Sequence, residues 1–501
     1  MILPDIKFPE LFFGFVAPMG TDITPVISSF RKSFEDKGYQ VIEIKVTDVF
    51  PVLAGYIEPH RPLVKSPLHD RYETYIEYGD QLREHSNDDS ILAAAAVSQV
   101  VRSRVRQIKT DERDPATKRV FLLYQFKRKE EIELLRSVYG RLFFQVSLYS
   151  RRGARVDYLS RKFARSEDFY AAHRYRDKAE KLIEADENEA DKRHGQRVSK
   201  IFHDADFIVS LDAHDVIYQQ VDRFVELLFG NNSISPTRYE YGMFLAKAAA
   251  LRTLDLSRQV GAAIFSPSGE VVSLGSNEVP RAGGGTYWCD DPHDDREFHR
   301  NHDSNDQRKR EILSELIRHI IPDADVEEMI KRPGIIESQF MDALEYGRIV
   351  HAEMSAISDA ARIGRSTKDA TLYCTTFPCH MCAKHIVASG IANVIFLEPY
   401  PKSLASSLHA DSLSIEQADR GRYQGFPKVE FSHFHGISPR RYREFFERGK
   451  RKSSNGQFEL YPDNTPAPFI KISAPYYYQL EEIVIKFLVK NNPAFKDAES
   501  Q

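Results

Sequence analysis

Two short pieces of text constrain this chain more than anything else in it: His351-Ala352-Glu353 and, after twenty-seven residues between His351 and Cys379, the run Cys379-His380-Met381-Cys382. Each piece opens a helical pattern, GRIVHAEMSAISDAARIG for the first and PCHMCAKHIVASG for the second. The fold must therefore bring two helix starts to one point. One imidazole (His351) and two thiolates (Cys379, Cys382) fill three of the four positions that tetrahedral Zn²⁺ takes, and the fourth is left for water, as in catalytic zinc sites. A closed structural knuckle recruits four protein ligands, and a redox Cys-x-x-Cys pair accounts for neither His351 nor Glu353. Helix starts carry unpaired N–H groups and the positive end of the helix dipole, which favours the thiolate form of both cysteines. Water on such a metal ionises at a pH of roughly 7. Glu353, two residues past the histidine and not itself a ligand, is spaced to carry protons to and from it.

The chain has 501 residues, more than a single core usually serves, so two domains are expected. The turn-rich stretch Gly230-Asn-Asn-Ser-Ile-Ser-Pro236 follows an apolar helical run and marks the junction, giving domains 1–232 and 233–501. Before the junction, strand-like runs at 11–17, 40–46, 120–124, 142–148 and 205–211 alternate with helical patterns such as 129–139, which predicts a parallel α/β domain. After it, strands are expected at 260–265, 271–276, 370–374, 393–397 and 428–431, with a closing helix over 478–490. No apolar run is long enough to suggest a membrane span, and the N-terminus lacks the pattern of an export signal, so the expected location is the cytoplasm. With 69 Lys plus Arg against 73 Asp plus Glu, the net charge of −4 argues against a broad polynucleotide-binding surface. The remaining cysteines, Cys289 and Cys374, fall outside the ligand spacing.

The H-x-E and P-C-x-x-C pair is the known signature of zinc-dependent nucleobase deaminases, which extends the chemistry to attack on the amidine carbon of cytosine and release of ammonia. Around it, residues 237–435 resemble the deoxycytidylate deaminase family, through Ser257-Arg-Gln-Val-Gly-Ala-Ala-Ile264, Leu274-Gly-Ser-Asn-Glu-Val-Pro280, Ala370-Thr-Leu-Tyr-Cys-Thr-Thr-Phe-Pro378 and the run from Ile391 to Tyr400. The resemblance implies a three-layer α/β/α fold with a mixed sheet and a free deoxynucleotide substrate. It also implies that Asn277 hydrogen-bonds the sugar or base, Ala352 offers backbone to the pyrimidine, Tyr400 contacts base or sugar, and Arg258 approaches the phosphate. Read from the residues alone, the alternatives are a turn asparagine capping backbone groups for Asn277, a solvated arginine for Arg258 and a core aromatic for Tyr400.

The whole chain is similar to bacterial antiphage deoxycytidylate deaminases, which join a P-loop-kinase-like domain to this catalytic domain. The further text behind this likeness is Glu398-Pro-Tyr-Pro-Lys-Ser403, Phe434-His-Gly-Ile-Ser-Pro-Arg-Arg-Tyr442 and Arg451-Lys452. That resemblance implies dCTP as well as dCMP as substrates, Mg²⁺ accompanying a triphosphate, a homo-oligomer, and control by an effector nucleotide or an inhibitory partner. Housekeeping pyrimidine synthesis and editing of a polynucleotide are the competing functions, the latter disfavoured by the net charge.

In the N-terminal domain a strand-like run enters Gly14-Phe-Val-Ala-Pro-Met-Gly20-Thr21-Asp22, the placement of a phosphate-binding loop. Its chemistry is incomplete. Five residues separate Gly14 from Gly20 where the Walker pattern has four, and Thr21-Asp22 stands where Lys followed by Ser or Thr is required, so ordinary ATP hydrolysis is not expected. Arg151, Arg152, Arg155 and Arg161 are candidates for a lid over phosphates or for a solvated helix face. The Asp- and His-rich segment 287–306, with His293, His299 and His302, reads as an exposed insertion near the catalytic site and a candidate for a second metal. Arg440, Arg441, Arg451 and Lys452 in the tail either neutralise phosphates or solvate a helix end.

Overall fold

The computed structural model describes residues 5–107, 118–167, 171–188, 194–212, 214–400 and 403–491. The chain divides into two compact units: residues up to Pro236 together with those from His435 onward, and Thr237–Phe434.

In the first unit five parallel strands, β1 (Leu11–Val16), β2 (Gln40–Lys45), β3 (Arg119–Tyr124), β4 (Phe143–Tyr149) and β5 (Phe207–Ser210), lie in the order β5-β4-β1-β3-β2. The central strand β1, LFFGFV, is buried along its whole length, as expected of a parallel strand covered on both faces. Alternation sends its phenylalanines to opposite layers. Phe13 meets Phe30, Phe34 and Phe224 from the helices Thr24–Asp36 and Ile217–Leu228, while Phe12 stacks on Tyr139 and meets Tyr477. Burying each such ring contributes roughly 1.5–3 kcal/mol. Gly14 lies inside β1, paired with Leu123 and Gln145, and a Cβ there would stand 2.5 Å from the Phe143 ring. It is a strand glycine roofed by an aromatic, not a member of a phosphate loop.

The tail belongs to this first unit, whereas the sequence reading had placed it with the second domain. Gly436–Ile437 adds an antiparallel strand beside β5, and the helix Tyr477–Asn491 packs on the helix Ile91–Gln107. Two buried ion networks hold the return. Arg104 bridges Glu10 and Glu481 at 2.8 Å each. Fully buried Asp206 accepts from the Gln145 N–H (2.7 Å), Arg136 (3.0 Å) and Arg441 (3.3 Å), with Arg440 at 3.6 Å. Arg441 is thus structural rather than free for phosphates, while Arg440 is half exposed at the edge of the same cluster.

In the second unit a mixed sheet runs β10-β11-β9-β8-β6-β7, with β6 (Gly261–Phe265), β7 (Val271–Ser276), β8 (Thr371–Thr376), β9 (Asn393–Glu398), β10 (Leu413–Ile415) and β11 (Val429–His433). β6 is antiparallel to both β7 and β8, and the other pairs are parallel. Gly261 on β6 faces Ala246 and Ala250 of the helix Arg238–Ala250 on one side of the sheet. Ala262 and Ile264 point the other way, into a core shared with the helices Ala352–Arg362 and His380–Ala388. Three layers result, the architecture that the family likeness implied.

Asp206→Ala leaves three arginines around a buried site without their acid; the expected cost is about 3–5 kcal/mol, read as a lowered denaturation midpoint, with faster proteolysis of the tail beyond His435.

Candidate active site and zinc centre

The two helices on the inner face of the second unit start where the sequence placed them. His351 is the cap residue of the first and Cys379 of the second, both with extended backbone (ψ 154° and 167°) that turns the side chain back over the helix start. Their depth is set by glycine: a Cβ on Gly275 of β7 would stand 2.1 Å from the Ala352 carbonyl and 2.5 Å from the Ala356 nitrogen. The helix rests on bare backbone, and the Ser273 hydroxyl donates to the Ala356 carbonyl at 2.8 Å beside it.

His351, Cys379 and Cys382 come together, with one ligand atom from each inside a sphere of 4.8 Å. The Nδ1 of His351 is 3.4 Å from the Cys379 sulfur and 3.3 Å from that of Cys382. One imidazole and two thiols converging on a point is the donor set zinc prefers, and three ligands rather than four leave a side open toward the cavity. These residues fit a zinc ion. The sulfurs titrate as a pair. The hydrogen bond from Cys382 draws the Cys379 thiol down to about 4, with His351 adding to the effect, while Cys382 moves in the opposite direction. The His351 ring is raised by its hydrogen bond to Cys379.

Glu353 is buried behind the metal ligands, its carboxylate 3.5 Å from the Cys382 sulfur. Burial raises its pKa above the ordinary carboxylate range, the direction a group needs to take up and release protons near neutrality.

A cavity of about 390 Å³ opens on this cluster, and Asn277, Arg258, Tyr400, Ala352 and Glu353 all line it. Ala352 sits in the first helical turn, whose N–H groups have no partner inside the helix. Asn277 is nearly buried, and its amide is tied to its own surroundings: Oδ1 accepts from the Val260 N–H (2.7 Å), and Nδ2 donates to the Arg258 carbonyl (2.8 Å) and to Asp255 (2.5 Å). The turn-forming role of this amide is what its bonds show, and the residue also lies on the cavity wall. Arg258 is at the half-exposed rim, paired with Glu398 at 3.1 Å and 5.3 Å from the Tyr400 ring.

The sequence reading missed Asp255. It lines the cavity and accepts from the Ser257 N–H (2.7 Å) and from Asn277, and burial raises its pKa. Its only sequence signal was position, three residues before Arg258. The wall formed by Met341, Asp342 and Leu344 was also unforeseen.

The insertion does not form a second metal group. Among the described residues the only other close set of possible ligands is His69, Asp70 and Glu73, in the first unit. Asp294 is taken up by Arg296 and Asp295 by Arg300 and Arg348. Arg296, only 3% exposed, reaches inward to buried Glu278, so this segment is partly a structural wedge rather than a wholly exposed loop.

Comparison with known proteins agrees with this geometry. The family model described as the cytidine and deoxycytidylate deaminase zinc-binding region matches residues 236–398. The deoxycytidylate deaminase of Enterobacteria phage T4 is 48% identical over 54 residues, 11% of this chain and 28% of that protein. The probable deoxycytidylate deaminase of Drosophila melanogaster is 28% identical over 183 residues, 35% of this chain and 69% of that one. The solved dCMP deaminase of cyanophage S-TIM5 aligns with 16% identity and a TM-score of 0.22, covering 40% of this chain and all of that one. The chain spans under a third of the length of the phage relatives it matches. The second unit therefore carries a deaminase zinc-binding region of the cytidine and deoxycytidylate type, and several of the proteins it resembles are deoxycytidylate deaminases. No helix among the described residues is long and apolar enough to cross a membrane.

Gly275→Ala forces a methyl group into the Ala352 carbonyl, an overpacking cost of about 1–3 kcal/mol, and is expected to lower zinc content measured by metal analysis. Cys382→Ala removes a ligand outright and is expected to weaken zinc binding by more than about 100-fold.

Proposed function

We propose that the second unit hydrolytically deaminates free deoxycytidine nucleotides, dCMP and dCTP, to the corresponding deoxyuridine nucleotides. The observation that carries this reading is the buried Glu353 carboxylate, beside the three zinc-ligating side chains and facing a cavity of nucleotide scale.

Zinc held by His351, Cys379 and Cys382 would supply Lewis acidity and lower the pKa of water at the site to about 7. The chain's own groups do the rest. Glu353 accepts one proton of the water that adds to the amidine carbon and passes it to the adjacent ring nitrogen; it then takes the remaining proton of the new hydroxyl and delivers it to the amine as the carbonyl forms, the carbon–nitrogen bond breaks and ammonia leaves. Its raised pKa suits both halves of that cycle, and its burial keeps the proton from bulk water. Asn277, fixed by Asp255 and the Val260 N–H, presents a rigid amide edge to the sugar or base, and Tyr400 and Arg258 border the route to the phosphate.

The likeness to antiphage deaminases supports including dCTP and supports depletion of the deoxynucleotide pool during infection as the use of this chemistry. The cavity is bordered by a single arginine among several acids, which favours a free nucleotide over a polynucleotide strand.

The test incubates zinc-loaded protein with dCMP, dCTP, CTP and a cytosine-containing single strand in parallel, with products resolved by chromatography. Conversion of the free deoxynucleotides is expected, and conversion of the strand alone would overturn the reading. Glu353→Gln is expected to keep its zinc and lose about 10²–10⁴ in kcat. Asp255→Ala, which loosens Asn277, is expected to raise KM about tenfold with zinc content unchanged.

A further inference from the structure

The first unit has a cavity of its own, about 340 Å³, at the carboxyl ends of β1, β2 and β3. Strands β1 and β3 are neighbours whose following helices, Thr24–Asp36 and Lys129–Tyr139, pass to opposite faces of the sheet. Open α/β sheets bind ligands at such a switch point.

The cations around the cavity fall into two groups. On the side of the loop after β1 the charges are already matched. Lys127 pairs with the buried Asp186 at 2.5 Å and donates to the Ala17 carbonyl, and the Met19 N–H donates to the same carboxylate at 2.6 Å. A protein carboxylate thus stands where a phosphate-binding loop would hold its anion. Gly20 is glycine for packing, since a Cβ there would meet the Arg155 carbonyl at 2.6 Å. The arginines considered as a lid are likewise engaged: Arg151 with Asp212, Arg152 with Glu184, Arg155 with Glu187.

Across the cavity cations outnumber carboxylates. Lys45 ends β2 with its side chain 26% exposed and pairs loosely with Asp48 at 3.9 Å. Arg71 and Lys162 line the same space from the helices Leu68–Ser86 and Arg152–Ser166; burial lowers the Lys45 pKa and these two cations add to it, and neither has a carboxylate in ion-pair contact among the described residues. Aromatic rings border them. Arg71 lies 4.4 Å from the Tyr75 ring, Tyr75 stacks on Phe50 at 5.7 Å, and Lys162 sits beside the phenols of Tyr72 and Tyr158. The Thr21 hydroxyl is buried with no hydrogen-bond partner. The cations here outnumber the acids, Asp48 beside Lys45 and Asp22 in the loop after β1, so an anion entering between them relieves their mutual repulsion, and the rings border the space a base would take.

We propose that this cavity binds a nucleoside phosphate, its phosphate oxygens held by Lys45, Arg71 and Lys162 and its base lying against Tyr72 and Tyr75. The site is separate from the deaminase centre and does not depend on the function assigned to it. It uses neither a Walker lysine nor the loop amide already taken by Asp186, so it serves binding rather than phosphoryl transfer.

The test is calorimetric titration of the full-length, zinc-loaded protein with ATP, GTP and dTTP, each compared with inorganic pyrophosphate. At least one nucleotide is expected to bind once per chain in the submillimolar range, more tightly than pyrophosphate. Arg71→Gln combined with Lys162→Gln is expected to weaken that binding about tenfold or more. Tyr75→Ala should weaken the nucleotide but not pyrophosphate. Zinc content, and deamination of dCMP measured without ATP, GTP or dTTP, should be unchanged in these variants, which shows that they fold. Saturation by none of the three nucleotides, a double variant that binds as the parent does, or pyrophosphate binding as tightly as the nucleotides would overturn the proposal.

Discussion

Ala352 and Ala356 press onto Gly275 with no room for a methyl group between helix and strand, and the chemistry of the second unit hangs on that contact. It fixes the height of the helix start over the sheet, hence the positions of His351 at the cap and Glu353 in the first turn. The second helix start brings Cys379 and Cys382 to the same point from a neighbouring strand end. Neither helix contributes a complete site. The metal ligands are divided between them, so the geometry of the centre is a property of packing, and any change in sheet-to-helix spacing is felt at the sulfurs.

Much of the chain was legible in its sequence because the relevant signals were local. The helix Lys129–Tyr139 and strand β7 fall on the expected residues, and the other expected strands differ by a residue or two at their ends, while β10 and the strand Gly436–Ile437 were not anticipated. The convergence of His351, Cys379 and Cys382 was legible because metal chemistry restricts residue type and spacing together. What escaped was set by distance. Asp206 and Arg441 are 235 positions apart, and no pattern near either announces the partner. The basic tail therefore looked like a free surface while serving as a clasp. Gly14 misled for a related reason: a glycine ahead of a helix suggests a loop, yet here it makes room for a ring arriving from β4. Asp255 escaped because its importance comes from Asn277, which reaches it only across a folded turn.

In the first unit the charge of the loop after β1 is balanced from within the chain. Asp186 neutralises Lys127 and accepts from that loop, so electrostatic demand there is satisfied internally. The excess positive charge lies farther along the cavity, on β2 and two helices. Charge balance, more than the loop motif, distinguishes the two ends of this cavity.

The first unit is also discontinuous: its last strand and its covering helix are drawn from residues beyond His435, after the whole of the second unit. During synthesis Thr237–Phe434 leaves the ribosome before the residues that complete the first unit, and domains generally fold as their residues emerge. The second unit can therefore gather His351, Cys379 and Cys382 while the first still lacks the strand Gly436–Ile437 and the helix Tyr477–Asn491. Translation order thus lets the continuous unit fold ahead of the discontinuous one.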